Sequence, residues 1–292
     1  MRTPVVIVEP LPSLLIEPAV RAALEEDLGR AGDITTDATI PATQRSRGRI
    51  VAREAGRIAG IDAVRTVFKL LNPRMRLHVE AGDGCDVAAG DLIAEVVSET
   101  RTVLTGERVA LNFLGQLSGV ATATAKLVAL CGGTHARVTC TRKTVPGLRA
   151  LQKYAVRCGG GSNHRFGLDD AILIKDNHIA AAGSVGAAIT AARKHAGHMV
   201  KLEIEVDNLR QLEEALALKA DTILLDNMTP EMLREAVRIT AGRATLEASG
   251  SVNEKSIAAI AATGVDYISS GAITHSAKCL DVALDLVSDG ET

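Results

Sequence analysis

The sequence predicts an α/β protein whose second half winds as a parallel sheet closed into a barrel. Three observations carry this. From Ala136 onwards, six strand-like runs alternate with helical patterns, and repeated strand–helix units imply parallel strands joined by crossovers. No GxGxxG opens the first of those helices, which argues against an open sheet that binds a dinucleotide. Charged and glycine-containing segments fall where the strands end, and barrels build their sites at the C-terminal ends of their strands.

The first half reads differently. Residues 1–17 are Pro-rich and irregular at first, and a helix is expected over 18–28, with Pro18 in its first turn. The stretch 29–41, GRAGDITTDATIP, reads as turns. Alternating runs at 47–53, 57–61 and 75–80 predict strands, with a helix at 63–71 before the last. Segment 80–97 holds short β runs separated by Gly-Asp turns and resembles the hammerhead of biotinyl and lipoyl carriers. Such carriers display a lysine at a hairpin tip, and residues 80–100 contain none. A small structural β-sandwich therefore displaces the carrier reading. From 102 to 130 the pattern is helical, with breaks expected near Gly115 and Gly119, and Arg108 lies early in it beside Glu107.

In the second half, strands are expected at 136–141, 171–174, 201–206, 222–225, 244–248 and 266–269. Helices are expected between them at 148–156, 185–195, 209–218, 231–240 and 254–262. In KLEIEV (201–206), a period of two puts Lys201, Glu203 and Glu205 on one face and Leu202, Ile204 and Val206 on the other. The apolar face suits the outer helices, so the charged face points into the barrel. By the same rule Lys175, Asp226, Glu247 and Ser249 close other strands. Burying such charges unpaired would cost several kcal/mol each, which leaves a lattice of mutual pairs or a functional site. The tripeptides Ser249-Gly250-Ser251 and Ser270-Gly271-Ala272 end two consecutive late strands. Glycine lets backbone approach a ligand closely, and late barrel loops recurrently hold phosphate.

Composition narrows the partners. The chain has 292 residues, 47% of them hydrophobic, and a formal net charge of −2, enough for sizeable cores and too balanced for a general nucleic-acid binder. Only 2% of residues are aromatic and tryptophan is absent, so stacking platforms for single strands are not expected. Cys85, Cys131, Cys140, Cys158 and Cys279 form no CxxC pair, and buried reduced thiols are the expectation. No signal-peptide layout and no apolar run long enough to span a bilayer are read from the sequence, so a cytoplasmic location and no membrane partner are expected.

The basic residues concentrate in 139–178. There one strand runs into Arg142 and Lys143, a triple glycine precedes Asn163, His164 and Arg165, and another strand delivers Lys175. Cations at strand ends are poor core and good anion ligands, so this stretch is expected to bind a small molecule with several negative charges.

With these residues assembled, the chain resembles the quinolinate phosphoribosyltransferases, type II phosphoribosyltransferases of NAD biosynthesis. The resemblance rests on EDLGRAGDITT (26–36), GERVALNFLGQLSG (106–119), TRKTVPGLR (141–149) and GGGSNHRFGLDDAILIKDNH (159–178). It continues through EIEVDN (203–208), LLDNM (224–228) and the Ser-Gly pairs at 249 and 270, with no departure at a catalytic position. It implies an N-terminal α/β sandwich domain over 1–115 and an incomplete, seven-stranded α/β barrel over 116–275. The tail 276–292 would pack back on the first domain. Six strands are found here, which leaves one irregular or unrecognised.

The resemblance also implies a reaction: quinolinate and 5-phosphoribosyl 1-pyrophosphate give nicotinate mononucleotide, pyrophosphate and CO2, with Mg2+. By motif position Arg142, His164, Arg165 and Lys175 would line the quinolinate pocket, Thr141 beside them. Lys143 would serve either the pyrophosphate or a carboxylate. Glu205 and Asp226 would hold Mg2+, directly or through water, or the ribose hydroxyls. The backbones of Ser249, Gly250 and Ser251 and of Ser270, Gly271 and Ala272 would cradle the 5′-phosphate. The family is dimeric or built from dimers, so Arg108 would be donated to the partner subunit's site rather than serve as a surface ion pair. Two rivals stand beside this reading: a sister transferase using nicotinate without decarboxylation, and a barrel aldolase forming a Schiff base on Lys175.

Overall fold

In the computed structural model, residues 8–288 are described. The chain starts with α1 (Ser13–Leu28) and α2 (Ile34–Thr39), then β1 (Arg45–Ala52), β2 (Gly56–Arg57) and α3 (Ile61–Leu71). Strands β3 (Arg76–Val79), β4 (Asp86–Val87) and β5 (Leu92–Glu99) lead into the long helix α4 (Thr100–Leu130). The second half runs β6 (Arg137–Thr139), α5 (Arg149–Cys158), β7 (Ile172–Ile174), α6 (Asp176–Ala182), α7 (Val185–His195), β8 (Leu202–Val206), α8 (Leu209–Ala217) and β9 (Thr222–Asp226). It closes with α9 (Pro230–Thr240), β10 (Thr245–Ser249), α10 (Ile257–Ala261), β11 (Tyr267–Ser269), α11 (Ala272–His275) and β12 (Val282–Ser288).

Two compact units result. The first comprises Met1–Ala125, Val145–Gly160 and Ser276–Thr292, and the second Lys126–Thr144 and Gly161–His275. The sequence reading cuts after residue 115 and returns the tail from residue 276 to the first domain; the observed first unit also includes the tail from Ser276, runs ten residues further than 115 and takes in the segment that carries α5.

The first unit is built on an antiparallel sheet ordered β12-β1-β5-β3. On β1, Ser46, Gly48 and Ile50 point inward while Arg45, Arg47 and Arg49 stay in solvent, the period-two alternation of a half-buried strand. Arg47 and Arg49 both reach Glu95 on β5, at 3.8 and 3.5 Å. Helix α1 begins earlier than expected, at Ser13, and Pro18 lies inside it. Its buried stripe of Ile16, Val20 and Leu24 passes straight through the proline, so packing offsets the lost backbone bond. The stretch expected as turns contains α2, because Asp33 caps it and accepts from Thr36 N at 2.9 Å. The strand expected at 57–61 ends at Arg57, because left-handed Gly60 (φ 108°) starts α3.

The break expected near Gly115 and Gly119 does not occur; α4 runs unbroken for 31 residues. These glycines mark close contact instead. A Cβ on Gly115 would lie 2.9 Å from the Leu280 carbonyl, one on Gly119 3.1 Å from Cys279 Cα, and Leu280 N donates to Gly115 O at 2.9 Å. The tail then forms β12, the edge strand beside β1, an element missed in the sequence. By length and composition α4 would also qualify to cross a membrane, contrary to the expectation of no such run, yet over half of its apolar window is buried inside the protein, as in a core helix.

The second unit is a six-stranded, all-parallel sheet ordered β6-β11-β10-β9-β8-β7. The first strand therefore pairs with the last, as barrel closure requires. Thr139 on β6 also makes an isolated parallel bridge to Ser162. That single residue stands where a seventh strand would lie, between β6 and β7 in the chain, and glycines before it leave nothing to pack a longer strand. The wall is an incomplete α/β barrel. Its strand interiors (Ile204, Ile223, Leu225, Ile268) are fully buried. None of the five cysteines forms a disulfide; Cys131, Cys140 and Cys158 are buried, whereas Cys279 is exposed.

Candidate active site

Within the second unit a cavity of about 790 Å³ opens at the C-terminal ends of the strands. Beyond β6 it is lined by Thr141, Arg142 and Lys143, beyond Ser162 by His164 and Arg165, and at the end of β7 by Leu173 and Lys175. The later strands contribute Glu205, then Leu224, Asp226 and Asn227, then Glu247, Ser249, Gly250, Ser251 and Val252. From β11 onwards Ser269, Ser270, Gly271, Ala272 and His275 complete the wall. Fourteen of the fifteen residues singled out in the sequence line this one cavity. Arg108 is the exception: it lies in the first unit on α4, largely exposed, with Nη2 3.9 Å from Glu107 Oε1.

Local chemistry fixes each segment. Thr141 Oγ1 accepts from Lys143 N at 3.0 Å, and Thr274 Oγ1 donates to Lys143 O at 2.8 Å, tying the loop after β6 to α11. The loop that carries Arg165 is closed by Asp170, whose carboxylate accepts from Phe166 N (2.6 Å) and Gly167 N (2.9 Å). Arg165 Nη1 donates to Ala171 O at 3.0 Å, while its buried Nε has no partner among the described residues. Burial first, and then the neighbouring Arg142 guanidinium, hold Arg165 below the ordinary arginine range. Two guanidinium groups side by side on the cavity wall favour an anion between them. Lys175 caps α6, its N–H accepted by His178 Nδ1 at 3.0 Å, and its Nζ lies 2.6 Å from Glu205 Oε2.

His164 is turned into the wall. Its Nε2 is 2.9 Å from Glu203 Oε2 and 3.7 Å from Glu247 Oε2, and its Nδ1 accepts from Arg165 N at 2.7 Å. Burial, and then Glu203, raise Glu247 to about 7. The ligand atoms of His164, Glu203 and Glu247 lie within 4.8 Å of one another. A metal there would take Nε2 and displace its contact with Glu203, while the Nδ1 bond to Arg165 N would stay. Glu205 and Asp226 are the better oxygen donors: each has one oxygen engaged, by Lys175 or by Asn227 Nδ2 at 2.6 Å, and a second to offer.

Lys201, expected on the inward charged face, instead is exposed at the other end of β8, 3.7 Å from Asp221. Only one of the two glycine turns leads into a helix: α11 starts at Ala272, whereas α10 starts at Ile257, well after Ser251. The sequence reading left Leu173 and Leu224 out, and placed Glu247 at an inward strand end without giving it a role in the site. Each stands two residues before a chosen one (Lys175, Asp226, Ser249), so the same period of two identifies them. Asn227 and His275 follow no such pattern.

Residues 120–285 match the model of the quinolinate phosphoribosyl transferase C-terminal domain, and residues 33–118 that of its N-terminal domain. The chain is 46% identical over 274 residues to a nicotinate-nucleotide pyrophosphorylase [carboxylating] of Mycobacterium leprae, covering 91% of this chain and 95% of that one. It is 43% identical to a probable nicotinate-nucleotide pyrophosphorylase [carboxylating] of Bacillus subtilis, over 91% and 92% of the two chains. The solved nicotinate-nucleotide pyrophosphorylase from Francisella tularensis superposes with a TM-score of 0.91 at 42% identity, covering 95% of this chain and 98% of that one. The strand-end cavity thus sits in a fold and a sequence that agree over nearly the whole length, and the chain belongs to the quinolinate phosphoribosyl transferase family.

Proposed function

We propose that the chain transfers the phosphoribosyl group of 5-phosphoribosyl 1-pyrophosphate to quinolinate with decarboxylation, giving nicotinate mononucleotide, pyrophosphate and CO2. The observation that carries this reading is the division of one cavity. Arg142, Lys143, Arg165 and Lys175 stand beyond β6, Ser162 and β7, while Glu205, Asp226 and two Ser-Gly turns stand beyond β8 to β11. The first group suits a rigid dicarboxylate, since guanidinium and carboxylate share a planar, two-point geometry. The second suits a phosphorylated sugar, through hydroxyl or metal contacts at the carboxylates and close backbone approach at the glycines.

In the transfer step the pyridine nitrogen lone pair forms a bond to the ribose anomeric carbon. The bond from that carbon to pyrophosphate breaks, and the leaving oxygen keeps the electron pair. Catalysis is then positioning and charge stabilisation, with no protein nucleophile. Lys175 and Glu205 join the two halves of the cavity, since the lysine ammonium can hold the carboxylate and still donate to an anion. Arg142 and Arg165 fix the acid so that its nitrogen faces the sugar. The nitrogen is then cationic, so the bond from the adjacent carbon to its carboxylate breaks, CO2 leaves, and the electron pair left on carbon takes up a proton. His164 lines the same pocket, and its Nδ1, accepting from Arg165 N, helps to orient Arg165. Glu205 and Asp226 would hold Mg2+, which when bound supplies charge neutralisation at the pyrophosphate. The reading includes a cytoplasmic homodimer in which Arg108 completes the partner subunit's site.

The test is an assay for CO2 release from carboxyl-labelled quinolinate. Release that requires both the sugar donor and Mg2+ is expected. Turnover of nicotinate in place of quinolinate would overturn the reading, and so would a borohydride-trapped adduct on Lys175.

A further inference from the structure

Four non-glycine residues have positive φ among the described residues: Lys219, Asn227, Ala241 and Ser251. Ala241 caps the C-terminus of α9, and Lys219 directly follows the C-cap of α8, where a left-handed residue is the ordinary stop. Asn227 (φ 53°) and Ser251 (φ 49°) end no helix, and both line the cavity. Left-handed backbone at a non-glycine residue costs free energy and persists where its surroundings impose it.

The surroundings of Asn227 are specific. Its backbone N–H donates to Ser249 O at 3.0 Å, and its side-chain Nδ2 donates to Asp226 Oδ2 at 2.6 Å. Its Oδ1 rests against Gly250, itself left-handed at φ 99°. A Cβ on Gly250 would come within 2.9 Å of Asn227 N and closer still to Oδ1, so nothing larger than glycine fits beneath the amide. On the far side Asn253 Nδ2 donates to Ser251 O at 3.0 Å and holds the same turn. Asparagine is the side chain that tolerates this backbone and also offers both a donor and an acceptor.

We infer that Asn227 is a positioning residue that locks the Asp226 carboxylate to the turn of Ser249, Gly250 and Ser251, so that both move as one donor-binding unit. The inference rests on the phosphoribosyl reading above and extends it. Asp226 and the turn would grip opposite ends of the same ligand, the ribose ring and its 5-phosphate. Their spacing therefore sets donor affinity and leaves the acid pocket beyond β6 and β7 untouched.

The test uses the full chain with Asn227→Gly, which keeps the left-handed backbone, and Asn227→Asp, which keeps the shape but loses the N–H donor. Calorimetry measures 5-phosphoribosyl 1-pyrophosphate with Mg2+ and, separately, quinolinate. In both variants the donor Kd is expected to rise about tenfold or more, the loss that accompanies a missing hydrogen bond to a charged group, with quinolinate binding unchanged. Gly250→Ala is expected to give the same split, and the Asn227→Gly/Gly250→Ala pair less than the sum, because the clash with Oδ1 is gone. Unchanged donor binding, equal weakening of both ligands, or loss of folding in both single variants would overturn the inference. A wild-type chain that neither binds the donor nor releases CO2 would instead overturn the phosphoribosyl reading itself.

Discussion

Glu247 is 4% exposed, faces His164 and Glu203, and has one oxygen with no partner among the described residues. Burial first, and then Glu203, lift its pKa from the ordinary carboxylate value of 4.5 to about 7. The folded chain thus holds this proton more tightly than the unfolded one. Its contribution to stability is complete below about pH 4.5 and is lost as pH rises towards 7. Glu247→Gln mimics the protonated form, so its stability relative to wild type is expected to grow by up to about 3 kcal/mol between pH 4.5 and pH 8. Urea unfolding at the two pH values measures it, and a pH-independent difference would contradict the assignment. At this scale the cations and carboxylates of the cavity were legible, because a charge at the end of an apolar strand has few structural uses. Asn227 was not: nothing in LLDNM announces a positive φ, which is set by Gly250 and Ser249 more than twenty residues away.

Glycine positions in α4 separate two effects of opposite sign. On helix propensity alone, Gly119→Ala would stabilise α4 by about 1 kcal/mol. In the folded chain the added methyl would meet the Lys278 carbonyl well inside van der Waals contact, with Lys278 C at 3.0 Å. That neighbour is backbone of the segment leading into β12, and it can give way only by moving the strand. Overpacking of this kind costs about 1–3 kcal/mol, so net destabilisation is expected in denaturant titration, and a more stable variant would show that the tail yields freely. The same positions explain a misreading: a glycine seen in sequence marks either a break or a close approach, and only the partner at 278–280 decides which. Helices with ordinary amphipathic faces and caps, such as α7 and α9, were legible to within a residue at each end. The strand β12 was not, since its pairing partner β1 lies over two hundred residues earlier.

For the molecule as a whole, strand–helix alternation made the parallel sheet legible, and the order β6-β11-β10-β9-β8-β7 follows from it with only the closing pair left to tertiary contacts. The seventh position was hidden because it consists of one bridging residue, Ser162, too short for any periodicity. Arg108 belongs to this scale too, as the one chosen residue outside the cavity's own unit. If it serves a partner subunit's site, Arg108→Ala and Lys175→Ala should each be nearly inactive alone. Their mixture, refolded together, should regain about a quarter of wild-type activity, because random pairing of two subunit types makes half of the dimers mixed and each mixed dimer carries one intact site. A mixture as inactive as its components would place both residues in one chain's site.

The pairing of first elements with last has a consequence for how the protein is made. β6 finds its neighbour β11 only when residue 269 exists, through the registers Arg137↔Tyr267 and Thr139↔Ser269. The first unit waits longer still, since Ser46 pairs with Ser288. During translation, therefore, a nascent chain carries an open barrel wall until residue 269, and an uncovered β1 edge until residue 288, has been added. Exposed edges and unfilled sheet ends of that kind are what holdase chaperones bind and what aggregates at high expression. Slower elongation would prolong this exposure for both units at once.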